Sequence, residues 1–391
     1  MSARKSSAEF RTWIELDAKA VAHNLDAFRA LIGTRPKLWA VVKSNAYGHG
    51  LTAFSRLAER AGADGFCVDS LVEGLRLRRE GVKKPILVLG STLPGLLPQA
   101  ARTGITLSVS SPEALLAIIR MSRPPAFHLK IDTGMHRQGF FTRDVPKVIR
   151  ALRRTPQAAR CMTGLFTHFA AAKDPLYPSA TEEQFADFTK TIAVFEGAGW
   201  KSLVRHAAAT GGALMSSKYH LDAVRLGIGL YGCWPSEELA AAFGDRFTLQ
   251  PVLSWRSVVA ETKRLGPNDF VGYDRTERLR RPTLAAVVPV GYWHGFSRSL
   301  SGRGEALIRG RRARTLGRVS MDMIVLDATL TGARAGDTVT LLGRDGRDVL
   351  TAAETAGASG TSVYEFLTRL NPLIERVVRG SGTTSQLVTS D

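Results

Sequence analysis

The chain is poor in the features that mark membrane, secreted or disulfide-held proteins. No window holds the roughly 18 uninterrupted apolar residues that a membrane-spanning helix needs. The basic start, MSARKSSAEFRTW, leads into no apolar stretch of signal-peptide type, so no secretory signal is expected. Three cysteines, Cys67, Cys161 and Cys233, lie far apart, with neither CxxC spacing nor a histidine at metal-ligand spacing. So scattered and odd a set excludes a disulfide framework and points to reduced thiols in a cytoplasmic protein without a metal centre. Acids are scarce too: 35 Asp and Glu face 53 Lys and Arg, a net charge of +18. That imbalance raises nucleic-acid or anionic-surface binding through RGRRARTLGR (Arg309–Arg318) and RTERLRR (Arg275–Arg281). No nucleic-acid motif accompanies the charge, and the clusters sit among strand-like segments rather than along one helix face. The expectation is a solubilising surface, with neither nucleic acid nor membrane as partner.

What is present is a regular alternation. Apolar runs begin at Leu38 (LWAVV), Gly65 (GFCVD), Ile86 (ILVLG), Thr106 (TLSVS), Phe127 (FHLKID), Gly164 (GLFTHF), Val204 (VRHAAA) and Val224 (VRLGIGLYG). Helix-period segments fill the gaps. Asp17 offers an N-cap, Val21, Leu25, Phe28 and Ile32 share one face, and Gly33 is a stop. Phe185, Phe188, Ile192 and Phe195 repeat the pattern. Eight strands buried on both faces, each followed by a helix, predict a (β/α)8 barrel over 12–246. An open doubly wound sheet is the alternative, but no GxGxxG follows the first run. From about Thr248 the texture changes to β-rich segments parted by GPND, SGRG and LTGARAGD turns. A mostly β domain is expected over 247–380, with a disordered lead-in at 1–11 and a frayed tail at 381–391.

Polar groups gather at the predicted strand ends. In a parallel barrel these ends open onto the active-site face. Lys43 directly follows the first run, and an amine losing hydration there becomes nucleophilic, as Schiff-base chemistry with a carbonyl requires. The blander reading is a lysine snorkelling to solvent beside an acid. Tyr47, Gly48, His49 and Gly50 follow, the glycines permitting close backbone approach. Lys130 and Arg137 end the fifth run, His168 the sixth, His206 and Thr210 the seventh. Arg225 ends the eighth, with glycine-spaced N–H groups able to cradle a phosphate. Each alone reads equally well as a polar loop residue; five strand ends together do not.

The ordered set WIELDAKAVAHNL, AVVKSNAYGHG, KIDTGMHRQGF, THFA, VRLGIGLYG, VGYDRTE, GRVSMDMI and SVYE resembles the pyridoxal-phosphate-dependent alanine racemases from about Trp13 to Glu375. The resemblance implies a barrel plus a β domain, and a cytoplasmic homodimer in which each site is completed by the other subunit's β domain. It also implies interconversion of L- and D-alanine by two bases, supplying D-alanine for the peptidoglycan of the cell wall. Lys43 matches the lysine that carries pyridoxal 5'-phosphate as a Schiff base, and Tyr273 the second base. Arg225 matches the arginine facing the pyridine nitrogen, and His168 the histidine linking the tyrosine to it. Tyr47, Thr210, Gly227, Ile228 and Tyr364 match phosphate-binding positions. Arg137 and Met321 match positions contacting the substrate carboxylate or cofactor edge, and Lys130 a lysine carbamylated in many members. Without the resemblance, Tyr273 and Tyr364 read as ordinary aromatics.

The chain departs from the family at Leu226, where proline is usual, at Ala209, where asparagine is usual, and at His294, where aspartate is common. These touch substrate breadth rather than reaction class. A broader racemase for serine or basic amino acids and a non-catalytic cofactor-binding protein are the alternatives. The second would lack a β domain with Tyr273 and GRVSMD.

Overall fold

The computed structural model describes residues 10–380 and the backbone of 386–388. Most of the expected lead-in (1–9) and of the tail (381–385 and 389–391) lies outside the described residues. The chain forms two compact units. One is the barrel, Val21–Ser44 and Ser55–Leu249; the other takes in the chain up to Ala20, Asn45–Phe54 and everything from Gln250.

The first strand, β1 (Thr12–Asp17), lies outside the barrel. The barrel strands follow: β2 (Lys37–Val41), β3 (Gly65–Val68), β4 (Ile86–Val88), β5 (Thr106–Val109) and β6 (Phe127–Asp132). Then come a short β7 (Phe140–Phe141), β8 (Met162–Phe166), β9 (Val204–His206) and β10 (Ala223–Leu226). The parallel order is β10-β2-β3-β4-β5-β6-β8-β9, with β7 beside β6. The two ends meet through Asp222 N–H to Arg205 O (3.0 Å) and Arg225 N–H to Ala208 O (3.0 Å), so the cylinder is nearly closed. Strands covered on both faces explain the unbroken apolar runs. The predicted helices form, the one carrying Phe185, Phe188, Ile192 and Phe195 as Ser179–Gly197 without a side-chain cap, others on capped starts. Asp17 Oδ1 accepts from Lys19 and Ala20 N–H at the start of Ala18–Ile32, whose Val21, Leu25, Phe28 and Ile32 are buried. Ser70 and Glu73 make a capping box on Leu71–Arg79.

The other unit is mostly antiparallel. Its strands are β11 (Leu253–Val258), β12 (Glu261–Leu265), β13 (Phe270–Val271), β14 (Glu277–Arg278), β15 (Thr283–Val288) and β16 (Glu305–Ile308). They continue as β17 (Arg311–Leu316), β18 (Ile324–Asp327), β19 (Thr338–Asp345), β20 (Asp348–Leu350), β21 (Glu375–Arg379) and β22 (Gln386–Val388). β1 lies in this sheet, antiparallel to β11 and parallel to β21. Fully buried Trp255 ties them, its Nε1–H donating to Thr12 Oγ1 (2.8 Å). The sheet therefore takes in β1, whereas the reading of 12–246 as one barrel puts this segment with the barrel. β13 and β14 form a separate hairpin.

Candidate active site

Lys43 stands at the C-terminal end of β2, where Val42 N–H still bonds Cys67 O (2.8 Å). Its side chain is 36% exposed, with Nζ 4.0 Å from Asp69 Oδ1, so it is less enclosed than its place at a strand end suggests. The backbone then turns left-handed without glycine: φ is 54° at Ser44, 55° at Asn45, 52° at Ala46 and 51° at Tyr47. L-residues disfavour this by roughly 1–2 kcal/mol each, so the turn stores about 4–8 kcal/mol that its surroundings must balance. In the barrel unit, Glu73 Oε1 accepts from Ser44 N–H (2.6 Å) while its Oε2 takes Asp69 N–H (2.8 Å). In the other unit, Asn45 accepts twice, from Gly50 N–H at its carbonyl (2.9 Å) and from Leu51 N–H at Oδ1 (2.8 Å). Gly48 has φ +82°, and a Cβ there would lie 2.0 Å from Leu367 O.

Arg225, on β10, is 2% exposed and held by four side-chain hydrogen bonds. It donates to His206 Nδ1 (2.6 Å), Thr167 O (2.8 Å), Ala207 O (2.8 Å) and His168 Nδ1 (3.2 Å). A guanidinium only donates, which fixes the tautomers. His206 must carry its proton on Nε2 and give it to His128 Nδ1 (2.8 Å). His168 likewise keeps its proton on Nε2. Phe166 stacks on His206 (4.8 Å between ring centres, 5° between planes), and Gly164 leaves the room that His128 fills. Burial, reinforced by Arg225, lowers His128 and His168 to about 3 and His206 well below its usual value, so all three stay neutral. Burial brings Arg225 down to about 10, which leaves it charged at neutral pH.

Lys130, on β6, is buried, and its Nζ donates to Gln138 Oε1 (3.4 Å), whose amide donates on to Ser91 Oγ (3.1 Å). Burial, then Arg137 and Arg225, lower the Lys130 amine to about 8. The charges of Arg225, Arg137, Lys130 and Lys43 all act on His168, so four cations converge on one barrel mouth. Arg137 is exposed and lines a cavity of about 560 Å³ with Ser110, Ser111, Asp132 and Gln138. Thr210 Oγ1 accepts from Gly227 N–H (3.2 Å) and Gly229 N–H (3.4 Å), so the hydroxyl shapes the turn Ile228–Tyr231. A Cβ on Gly229 would lie 2.6 Å from Phe28 Cζ. Ala209 leaves the helix Thr210–Met215 without a side-chain cap, and Leu226 is buried at the end of β10.

In the other unit, Tyr47 and Tyr364 face each other with ring centres 6.2 Å apart. Tyr273 projects from the loop between β13 and β14 and is 67% exposed. That loop is shaped by Gly272 (φ +78°) and left-handed Asp274 and Arg275, and is held by the Arg318–Asp274 ion pair (Nε to Oδ2 2.8 Å). Met321 is also exposed; its carbonyl accepts from Trp293 N–H (3.0 Å). His294 Nδ1 accepts from Gly291 N–H (3.2 Å), a turn contact. The arginine clusters are largely paired: Arg309 with Asp337, Arg312 with Glu305, Asp348 and Glu354, Arg314 with Glu277, Arg281 with Asp327.

Three contributors were not picked out from the sequence. His128 shares a strand face with Lys130 by the alternation of FHLKID, and Glu73 completes the S-x-x-E signature of a capping box. Gln138 carries no such mark.

Two family models match the chain: the alanine racemase N-terminal domain over residues 16–235 and the C-terminal domain over 252–378. The alanine racemase of Leptospira interrogans (serovar copenhageni) is 34% identical over 379 residues, covering 94% of this chain and 96% of its own. That of Sorangium cellulosum is 36% identical over 384 residues, with 94% and 99% covered. Among solved structures, the Bacillus anthracis alanine racemase with bound L-Ala-P superposes with a TM-score of 0.90 at 32% identity, covering 97% of each chain. The enzyme from D-cycloserine-producing Streptomyces lavendulae gives 0.87 at 35%, with 95% and 97% covered. Two domain models in order, and likeness along nearly the whole length in sequence and in fold, place this chain in the alanine racemase family.

Proposed function

We propose that the chain interconverts L- and D-alanine with pyridoxal 5'-phosphate as cofactor, Lys43 and Tyr273 being the two bases. The observation that carries the reading is the primary amine of Lys43 at the mouth of the barrel, among three further cations that all act on His168. That donor set fits the cofactor: an amine for its aldehyde, and positive charge for its phosphate and for a substrate carboxylate. Lys43 would hold it covalently, and Tyr47, Thr210, Gly227, Ile228 and Tyr364 are the proposed phosphate anchors. When bound, pyridoxal phosphate supplies an electron-withdrawing ring that acidifies the Cα–H bond of the amino acid.

The chain's own residues supply geometry and protons. Arg225, locked by its four hydrogen bonds, is the proposed partner of the ring nitrogen, and a guanidinium will not part with a proton there. Lys43 serves one face of Cα as a free amine. Tyr273 of a second copy serves the other, and neutral His168, with Nε2–H to give, lowers the cost of its phenolate form. Arg137 and Met321 are proposed to contact the substrate carboxylate and cofactor edge. Lys130 is a candidate for carbamylation: its lowered basicity leaves neutral amine to add CO2 with loss of a proton, and the carbamate would offset surrounding positive charge.

A homodimer suits the exposed Tyr273, Trp293, Met321, Met323 and Leu373 of the β unit, which are apolar surface out of place on a lone subunit. Reduced Cys67, Cys161 and Cys233 suit the cytoplasm, and supply of D-alanine to the cell wall is the proposed role. Among the described residues no helix is long and apolar enough to cross a membrane.

The test is racemisation of L-alanine by wild type and Lys43→Ala, with borohydride trapping and peptide mapping of the cofactor. The label is expected on Lys43 and D-alanine only from wild type. A label elsewhere, or turnover surviving Lys43→Ala, would remove the basis of the proposal. L-Serine and L-lysine run alongside measure substrate breadth.

A further inference from the structure

One strongly buried charge in the molecule has no part in the scheme above. Arg376, on β21, is 2% exposed, and among the described residues no carboxylate forms an ion pair with it. Its two terminal amino groups are spent on main-chain carbonyls, while the buried Nε–H is left without a hydrogen-bond partner. One amino group donates to Asn371 O (2.9 Å), Pro372 O (2.8 Å) and Ile374 O; the other donates to Gly48 O (2.8 Å). Three of those carbonyls belong to the loop that leads into its own strand. The fourth lies 328 residues away in sequence. A buried cation is costly, and an apolar side chain would fill the same space more cheaply unless the donors themselves are needed.

The need is at Gly48. This carbonyl ends the left-handed run from Ser44 to Tyr47, a conformation that persists only where its surroundings over-determine it. Gly48 is already wedged against Leu367 O, and the Arg376 stem packs beside Gly50, where a Cβ would be 3.4 Å from its Cγ. The next turn is closed by His49 N–H to Ala46 O (3.0 Å). Donors, wedge and stem all act on one short stretch, the one that separates Lys43 from Tyr47.

We propose that Arg376 is a positioning residue: by binding the Gly48 carbonyl to the 371–374 loop, it holds the left-handed turn Asn45–Tyr47 and with it the Tyr47 side chain. The inference rests on the reading of Lys43 and Tyr47 as cofactor-holding residues. A lysine at 376 keeps the charge but cannot fork across both sets of carbonyls, and a methionine keeps the stem and loses every donor.

The test compares wild type, Arg376→Lys and Arg376→Met as apoenzymes titrated with pyridoxal phosphate, followed by kcat and KM for alanine and by thermal melting. Arg376→Met is expected to weaken cofactor binding at least tenfold and to lower kcat with KM for alanine little changed. Arg376→Lys should fall between. Hydrogen–deuterium exchange of the 44–50 peptide in Arg376→Lys, which stands even if the methionine variant does not fold, should speed up relative to wild type. Wild-type cofactor affinity together with unchanged exchange at 44–50 would overturn the proposal, even if melting drops. A wild-type protein that takes up no cofactor would instead sink the functional reading, and the exchange result would still judge Arg376.

Discussion

Gly48→Ala isolates the wall that confines the turn beyond Lys43. Two effects add. At φ +82° an alanine loses about 1 kcal/mol to backbone strain. Its Cβ would also sit 2.0 Å from Leu367 O, so main chain must shift by about an ångström, and overpacking of this kind costs about 1–3 kcal/mol. The sum is about 2–4 kcal/mol. Gly33→Ala is the internal reference, because Gly33 has φ +76° and nothing within 4 Å of its would-be Cβ. It should lose only the backbone share, about 1 kcal/mol. Urea unfolding of the two apoproteins, compared through midpoints at equal slope, gives the difference directly. Pyridoxal phosphate titration adds a second readout: affinity should fall for Gly48→Ala and stay at the wild-type value for Gly33→Ala. Equal losses of stability in the two variants would show that Leu367 is no wall, and would undercut the account of the strained turn.

Two further outcomes follow from the buried histidines and the exposed tyrosine. Burial holds His49, His128 and His168 at about 3, and lowers His206 as well, while in the unfolded chain each titrates near 6.5. Below that value the unfolded chain binds protons that the folded chain refuses, so stability is complete above about pH 6.5 and is lost as pH falls. Asp64, Asp132 and Asp222, lowered by hydrogen bonds and cations that outweigh burial, join only near pH 4, so unfolding between about pH 5 and 6.5 reports on the histidines. The slope should reach up to about 1.4 kcal/mol per pH unit per histidine and shrink in His128→Phe; a flat urea midpoint from pH 7 to 5 contradicts it. Tyr273→Phe should lower racemisation about 10²–10⁴-fold with melting unchanged, because the hydroxyl lies on an exposed loop; retention of full activity would remove Tyr273 as a base.

The barrel was legible because its physics is local. Each strand is an apolar run set off by turn residues and helix-period segments, and the groups at the strand ends stand out against that background. Lys43, Lys130, His168 and Arg225 therefore stand out as a set at successive strand ends, although each alone reads equally well as a polar loop residue. What escaped depends on partners distant in sequence. TWIELD is not among the runs read as strands, and nothing in it says that β11 and β21 will flank it. Ser44–Tyr47 holds no glycine to announce left-handed geometry. Arg376 in ERVVR looks like any strand arginine until Gly48 is found beneath it. The bond from His206 to His128 joins residues 78 apart, and only folding reveals which ring nitrogen carries the proton. In the arginine clusters, which acids would answer Arg281, Arg309, Arg312, Arg314 and Arg318 was likewise hidden until folding brought the partners together.

The place of β1 bears on how the molecule comes into being on the ribosome. Thr12 leaves the exit tunnel 243 residues ahead of Trp255, whose indole N–H donates to its hydroxyl. Every barrel strand will have emerged before β1 can be sandwiched between β11 and β21, so a strand made before the barrel is seated after it. A deletion that removes β21 should therefore loosen β1, and a fragment stopped at Leu249 would leave β1 with both edges unpaired.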